Sequence, residues 1–490
     1  MFMTECRGIM CQIRSHSQLV CKRSFNVFFM KELLIISLLI FSLFSCKKQN
    51  DWLNAKRQTS DVVPESLADF QSLLDNAGLM NASYPTLGVL GCDNFYYPDE
   101  NIPSLNTITR NAYFWNRDIF GSAISVDYSN AYSAINLANI VLEGLQAINS
   151  PADLGTINNI RGQALFHRAM MFFELANVFC KPYNAQTAAV DLGIAVRLKS
   201  DIYHIEQRST VQRTYSQIVS DLETASALLP VNPLYRTRPS KPAVFALLSR
   251  TYLLMGDYGN ALRFADSTLT YFGDMLDFNS GEVSLAKPYR FPSFSEKNRE
   301  VIFYATGVGN VASTPNEAFN AAFIDSQLYR SYEKDDLRLQ YFFDQIEPGK
   351  AKYRGSYAGT DRTFSGIASN EIYLIRAECN ARLGNLGAAL RDLNKLLANR
   401  YKRGTYIEFL STEQETVLKK ILQERRKEFP FTGQIRWQDL RRLNMEPRFA
   451  VLLQRNSFGE IVQLNPNDPK YVYPLPKPEI EQGGLIQNER

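Results

Sequence analysis

Two stretches of this chain repeat one spacing. In Ser249…Gly256…Ala261, and again in Ala377…Gly384…Ala389, a small residue is followed seven positions on by glycine and five further on by alanine. Apolar residues at helical spacing surround both stretches. Small side chains at fixed intervals let paired helices approach closely. A repeated pair of that kind stacks into a scaffold in which each unit contacts its neighbours. The spacing predicts helices over Lys241–Met255 and Tyr258–Tyr271, and a second pair around residues 377–389.

Helical periodicity also marks residues 128–148, where Tyr132, Ile135, Leu137, Ala138, Val141, Leu142 and Leu145 share a side. It marks 157–179, through Leu165, Ala169, Phe172, Ala176 and Phe179, and 211–229. A short helix is expected at Leu67, Phe70, Leu73 and Leu74. The small-residue spacing resembles the packing positions of tetratricopeptide repeats (TPR). Residues 275–370 interrupt the repeats and are rich in Gly, Pro, Ser and Tyr. An insertion that long in a helical array lies on one face and often binds something. Residues 84–121 are similarly irregular and aromatic.

In residues 411–444, Thr412 and Glu415 form a capping-box pattern before Val417, Leu418, Ile421 and Leu422. Continuing that apolar face reaches Arg425 and Glu428, with Glu424 beside them. Pro430 and Gly433 break the helix, and Arg436, Asp439, Arg441 and Arg442 follow. Charges on an apolar face need partners. The pattern predicts an ion-pair network joining the helix end to the segment after it; the alternative is a solvated charge run.

Residues 33–44 are apolar except for Ser37 and Ser42, follow Lys31 and end at Leu43-Phe44-Ser45-Cys46. Twelve residues are too few to span a bilayer, which takes about 20. They fit a secretory signal. The ending resembles a bacterial lipobox, which implies that Cys46 is diacylated; the alternative is a plain signal cleaved nearby. Met30 is read as the natural start, with residues 1–29 as upstream sequence. Net charge is +4, but five basic and two acidic residues precede Cys46, leaving 49 against 48 beyond it. That balance argues against nucleic acid as a partner. Cys92, Cys180 and Cys379 are odd in number and far apart, so they read as buried hydrophobes and not as a disulfide or metal framework.

Little points to catalysis. The run Gly307-Val308-Gly309-Asn310-Val311-Ala312 spells GxGxxA, but Ser313, Thr314 and Pro315 break the helix that a dinucleotide site requires. His167 and His204 have no metal-ligand neighbours at sequence spacing, and HExxH, CxxC, GxSxG and Walker patterns are lacking. No cofactor and no metal are expected. Asp335-Asp336 could in principle support glycosidase chemistry.

The motifs resemble one family. Glu424-Arg425-Arg426-x-Glu428-Phe429, Gly433 and Arg436-Trp437-x-Asp439-Leu440-x-Arg442 resemble the SusD/RagB signature. Thr432 replaces its usual Glu, and two residues separate Gly433 from Arg436 where the family has one. Asp93-Asn94, Tyr132-x-x-Ile135-x-x-x-Asn139, the 163–183 helix and loop, Glu300-x-Ile302-Phe303 and the close from Tyr471 to Asn488 resemble further family elements in order. Cys180 stands where the family has Gly.

The resemblance implies a mainly α, SusD-like fold: a TPR-like helical-repeat scaffold with long irregular loop insertions and minor β. The expected parts are a leader over 1–45, an N-terminal part over 46–230, and a C-terminal part over 231–490 that includes the insertion. By resemblance the chain is a non-enzymatic binding protein, lipid-anchored at the outer membrane and surface-exposed. It would work with a SusC-like TonB-dependent transporter and take an oligosaccharide or, as in RagB-like members, a peptide. A lipid-anchored surface glycoside hydrolase is the alternative. The segment Lys47-Lys-Gln-Asn-Asp lacks the acidic cluster that often follows the lipidated cysteine in surface-exported members. Glu424, Arg425, Glu428, Arg436 and Asp439 are assigned a structural role. Ligand contacts are expected from Asp93, Asn94, Phe95, Tyr96, Tyr97 and Trp115, with Tyr289, Tyr353 and Tyr357 from the insertion. Sugars present C–H faces to flat rings and hydroxyls to polar side chains. The alternative for any one ring is that it fills a core.

Overall fold

A computed structural model of the chain describes residues 64–148, 151–308 and 322–490. The leader, Cys46 and residues 309–312 of the GxGxxA run lie outside the described residues.

Among the described residues, capping side chains open five of the ten longest helices. Ser66 caps α1 (Leu67–Leu74), Ser125 caps α2 (Val126–Ala147), and α3 (Leu154–Phe179) follows without a side-chain cap. Thr210 caps α4 (Val211–Leu228). Ser240 caps α5 (Lys241–Met255), which carries Pro242 in its first turn, and Asp257 caps α6 (Tyr258–Tyr271). Next come α7 (Ser369–Arg382), α8 (Leu386–Ala398), α9 (Gln414–Glu428) and α10 (Ile435–Leu443).

Each helix from α2 to α7 packs on the next, and α7 packs on both α8 and α9. The chain leaves this array after α6 and returns at α7, yet α6 and α7 contact each other directly. The helical scaffold therefore continues across the insertion. The two repeated motifs fall on α5/α6 and α7/α8. Gly256 and Gly384 sit just beyond the first helix of each pair, with φ of 74° and 85°. Glycine adopts that left-handed geometry without a Cβ penalty. Ser249 Oγ donates to the carbonyl of Ala261 at 2.9 Å, so the first pair approaches backbone to side chain.

Strands are short and occur in antiparallel pairs among the described residues, such as Phe95–Tyr96 with Phe323–Ile324 and Leu453–Ser457 with Glu460–Leu464. The irregular segments are not loosely attached. Phe95, Tyr97, Tyr113, Phe278, Phe291, Phe342, Tyr353 and Phe431 form an aromatic core of their own. That core is separate from the helical one built around α2 to α5.

The start of α9 differs from the capping-box expectation. Glu413 precedes the helix, and no side chain caps it. Ser411 Oγ accepts the backbone N–H of Glu413 at 3.1 Å, which places Thr412 before the cap position.

Charged residues at the end of α9 are buried and paired. Arg425 Nε donates to Asp439 at 2.8 Å, and Arg442 reaches both Asp439, at 2.8 Å, and Glu378, at 2.6 Å. The other pairs reach beyond the local stretch. Arg338, inside the insertion, holds Glu424 at 2.6 Å and Glu428 at 3.1 Å. Arg400 joins Glu428 to Glu300 at 2.8 Å each. Arg436 holds Asp93 through two contacts of 2.7 Å. The end of α9 together with α10 thus fastens the insertion, the second helical pair and the N-terminal segment. Burial opposes charge on Glu424, but Arg338 and Lys427 together draw its carboxyl down to about 2. Glu378 behaves likewise, with burial outweighed by Arg442 and Arg382, and also falls to about 2.

Candidate functional site

A groove of about 470 Å³ opens where the loop between α4 and α5 meets the insertion. The loop contributes Leu234, Tyr235 and Arg236; the insertion contributes Phe294 and Asn298. Two clamps hold the walls together. Tyr304 N donates to the carbonyl of Arg236 at 2.8 Å. Asn81 Nδ2 donates to the carbonyls of Thr237 and Tyr304, each at 2.9 Å. On the outer side Arg238 makes a two-pronged pair with Asp75 at 2.8 and 2.6 Å.

Tyr235 and Phe294 are 55% and 41% exposed, large values for aromatic rings lining a concavity. The Phe294 and Tyr304 centroids lie 4.9 Å apart, which fixes one ring against the wall. Phe272 lies under the Arg236 guanidinium at 4.7 Å.

Two N–H donors at the groove have no hydrogen-bond partner among the described residues: Arg236 Nη1 and Asn298 Nδ2. Asn298 is buried, and its Oδ1 accepts the N–H of Glu300 at 3.0 Å. That bond fixes the amide, because only the oxygen can accept. The Nδ2 group is therefore held as an unfilled donor. Burial pulls the Arg236 pKa below the usual arginine value, with Asp274 opposing the shift. A buried donor without an acceptor carries a desolvation cost that a ligand acceptor would remove. Exposed rings beside fixed N–H donors match the C–H faces and hydroxyl oxygens of a polyol. Among the described residues, no cluster of His, Cys, Asp and Glu could hold a metal ion.

The structure corrects several of the expected contacts. Trp115 is 1% exposed, and its Nε1 donates to the carbonyl of Gly91 at 2.9 Å. Arg455 lies over its ring at 5.2 Å and over Tyr113 at 4.2 Å. Trp115 lies in the helical core, and Phe95, Tyr97 and Tyr353 are buried in the aromatic core. A ring enclosed on both faces has none to offer a sugar. Asn94 is buried and accepts from Arg426, while Asp93 is taken by Arg436. Tyr357 lies on the groove floor, but its hydroxyl donates to Glu300 at 2.7 Å. Tyr96 is half-buried, 6.0 Å from the Phe323 ring, and Tyr289 is half-buried; neither lines the groove. Sequence reasoning missed Tyr235, Arg236, Phe294 and Asn298. The turn-rich VNPLYRTRP run over 231–239 carried a usable signal for the first two. Asn298 carried none, since its role rests on which amide atom is already bonded.

Comparison with known proteins places the chain. A family profile described as "Starch-binding associating with outer membrane" matches residues 51–253, and one described as "SusD family" matches 338–489. SusD-like protein P2 of Formosa agariphila is 23% identical over 425 residues, 74% of this chain and 80% of the relative. A SusD superfamily protein from Bacteroides thetaiotaomicron superposes with a TM-score of 0.69 at 22% identity, over 87% of this chain and 100% of that one. A SusD-like carbohydrate binding protein from Bacteroides vulgatus gives 0.65 at 18%, over 86% and 97%. These structures share the TPR-like helical fold described above. With profiles matching the helices on both sides of the insertion, the chain belongs to the SusD family.

Proposed function

We propose that this protein binds an oligosaccharide in the groove between residues 231–240 and 292–304 and is not an enzyme. One observation carries the reading: two buried N–H donors without acceptors stand beside two exposed aromatic rings. The description of the first matched family and the carbohydrate-binding relative from Bacteroides vulgatus support a glycan as the ligand class. Phe294 and Asn298 lie between the two profile matches, outside both. In the same reading the protein is lipid-anchored at Cys46 on the outer membrane, displayed at the surface, and delivers its ligand to a SusC-like TonB-dependent transporter. The parts 46–230 and 231–490 then act as one binding scaffold, with 275–370 supplying ligand specificity.

Calorimetry against a panel of neutral oligosaccharides (maltoheptaose, cellohexaose, xylohexaose, laminarihexaose) tests it. At least one should bind, and Phe294→Ala should weaken that binding tenfold or more with the melting temperature kept. Release of reducing ends from the bound sugar, or equal binding by the variant, would remove this reading.

A further inference from the structure

A second cleft, of about 740 Å³, lies between residues 181–192, the end of α10, and residues 467–472 and 486–489. Three of its lining side chains are buried and carry a polar atom without a hydrogen-bond partner among the described residues: Arg441 Nε, Asn444 Nδ2 and the Tyr471 hydroxyl. All three can donate.

Each side chain is held by its other contacts. Both Nη groups of Arg441 donate to backbone, to the carbonyls of Asn177 and Cys180. Asn444 Oδ1 accepts the N–H of Val451 at 3.0 Å, which leaves Nδ2 as the unfilled end of the amide. The Tyr471 ring packs on Trp437 with centroids 4.9 Å apart. Burial raises the Tyr471 hydroxyl to about 12 and a hydrogen-bonding contribution from Asn444 opposes the rise, although the pair falls outside strict hydrogen-bond geometry and leaves both groups open to a better partner.

Arg441 also differs from the other buried arginines of α9 and α10. Arg425, Arg436 and Arg442 each have a carboxylate partner. Arg441 has none among the described residues, and burial holds its pKa below the usual value. A buried cation satisfied only by carbonyls retains uncompensated charge. The rest of the wall limits what can answer it. Lys181 is paired with Asp191 at 2.8 Å, Asp468 accepts from Lys470 N at 2.9 Å, and Glu489 also lines the cleft. Three wall carboxylates disfavour a dianion such as phosphate. A planar carboxylate brings one charge and enough lone pairs for three donors.

We propose that this cleft binds the carboxylate of a uronic acid unit, making the protein a receptor for acidic oligosaccharides. The proposal rests on the glycan reading above but uses a different site. Arg441 and Asn444 would take the carboxylate, and Tyr471 would donate to one of its oxygens or to a neighbouring ring hydroxyl. The cleft is large enough for more than one sugar ring.

Calorimetry with trigalacturonate and with its neutral methyl ester tests it. The acid form should bind, and the ester at least tenfold more weakly. Asn444→Asp keeps the oxygen that accepts from Val451 and replaces the donor with a like charge, so it should abolish binding of the acid form. Tyr471→Phe should weaken binding several-fold while the melting temperature holds or rises, since it removes a buried hydroxyl without a partner. If Asn444→Asp fails to fold, the Tyr471→Phe pair of readings decides. Equal binding of acid and ester, no binding of the acid, or preference for a tripeptide carboxylate over trigalacturonate would overturn the proposal. Phe294→Ala separates the two readings: it should leave trigalacturonate binding at this cleft unchanged, whatever it does to neutral sugars.

Discussion

Arg436 grips Asp93 through two parallel hydrogen bonds of 2.7 Å, joining positions 343 residues apart. Both side chains are largely removed from solvent, and a planar guanidinium on a carboxylate is the strongest form of such a contact. Burial opposes charge on Asp93, but Arg426 and Arg436 hold its carboxyl well below the usual range.

Removing Asp93 would strand Arg436, and removing Arg436 would leave Asp93 to the longer contact with Arg426. Arg436→Ala is expected to cost about 3 kcal/mol, the lower end for a buried pair. Arg436→Ala combined with Asp93→Ala should cost less than the two single changes added together. Urea unfolding of the four proteins gives the coupling. Strict additivity would mean that the pair is not the contact that matters.

Trp115→Ala should reduce stability by about 3–5 kcal/mol, because the indole is buried in the helical core, beneath the Arg455 guanidinium. Phe294→Ala, at a ring that is 41% exposed, should leave the melting temperature nearly unchanged. Thermal melts of both variants check the contrast. A reversal would place the binding surface at residues 93–117.

The pH profile should have two opposed arms. Glu378 and Glu424 have carboxyls drawn down to about 2, below their unfolded value of 4.5. The stability they contribute is present above pH 4.5 and lost as pH falls toward 2. Glu174 is the reverse. Burial, against the pull of Arg250, raises its carboxyl to about 7. Its contribution is complete below pH 4.5 and lost as pH rises through 7, a loss of roughly 3 kcal/mol. Gln434 Nε2 donates to Glu174 at 2.7 Å, and a glutamine there could still accept that bond. Glu174→Gln should therefore flatten the profile between pH 5 and 8. Denaturant titrations across that range would show an unchanged slope if the assignment were wrong.

Gly384→Ala should cost about 1 kcal/mol, since φ is 85° and an added Cβ would meet nothing within 4 Å. Gly88→Ala should cost more. Its Cβ would lie 2.8 Å from Gln434 Oε1 and 2.9 Å from Trp437 Cβ. Parallel melts of the two variants separate backbone preference from crowding.

These residues also show what the sequence could reveal. Ser249, Gly256 and Ala261 were legible because helix pairing imposes a fixed spacing on small residues. The charges of α9 were legible as a break in an apolar stripe, and the Arg425–Asp439 pair lies within the local stretch. The partners Arg338, Arg400 and Asp93 were not, because contacts between distant segments leave no local pattern. The rings at Phe95, Tyr97 and Trp115 misled for a related reason. An aromatic cluster in a turn-rich run looks the same whether it lines a site or fills a core. Only distant packing distinguishes the two: residues 275–370 enclose Phe95 and Tyr97, while Trp115 is buried in the helical core under Arg455. Asn298 and Asn444 depend on the state of a single amide nitrogen, which composition cannot encode.

The direct packing of α6 on α7 across the insertion has a practical meaning for grafting experiments. The spine is already joined behind the loop, so the loop can be exchanged without rebuilding the spine. The fasteners travel with the loop, however: Glu300 and Arg338 belong to it, while Arg400, Glu424 and Glu428 remain on the scaffold. A transplanted loop lacking a carboxylate at the first position and a guanidinium at the second would leave Arg400, Glu424 and Glu428 each one buried partner short, with Arg400 and Glu428 still holding each other and Glu424 left to Lys420 and Lys427.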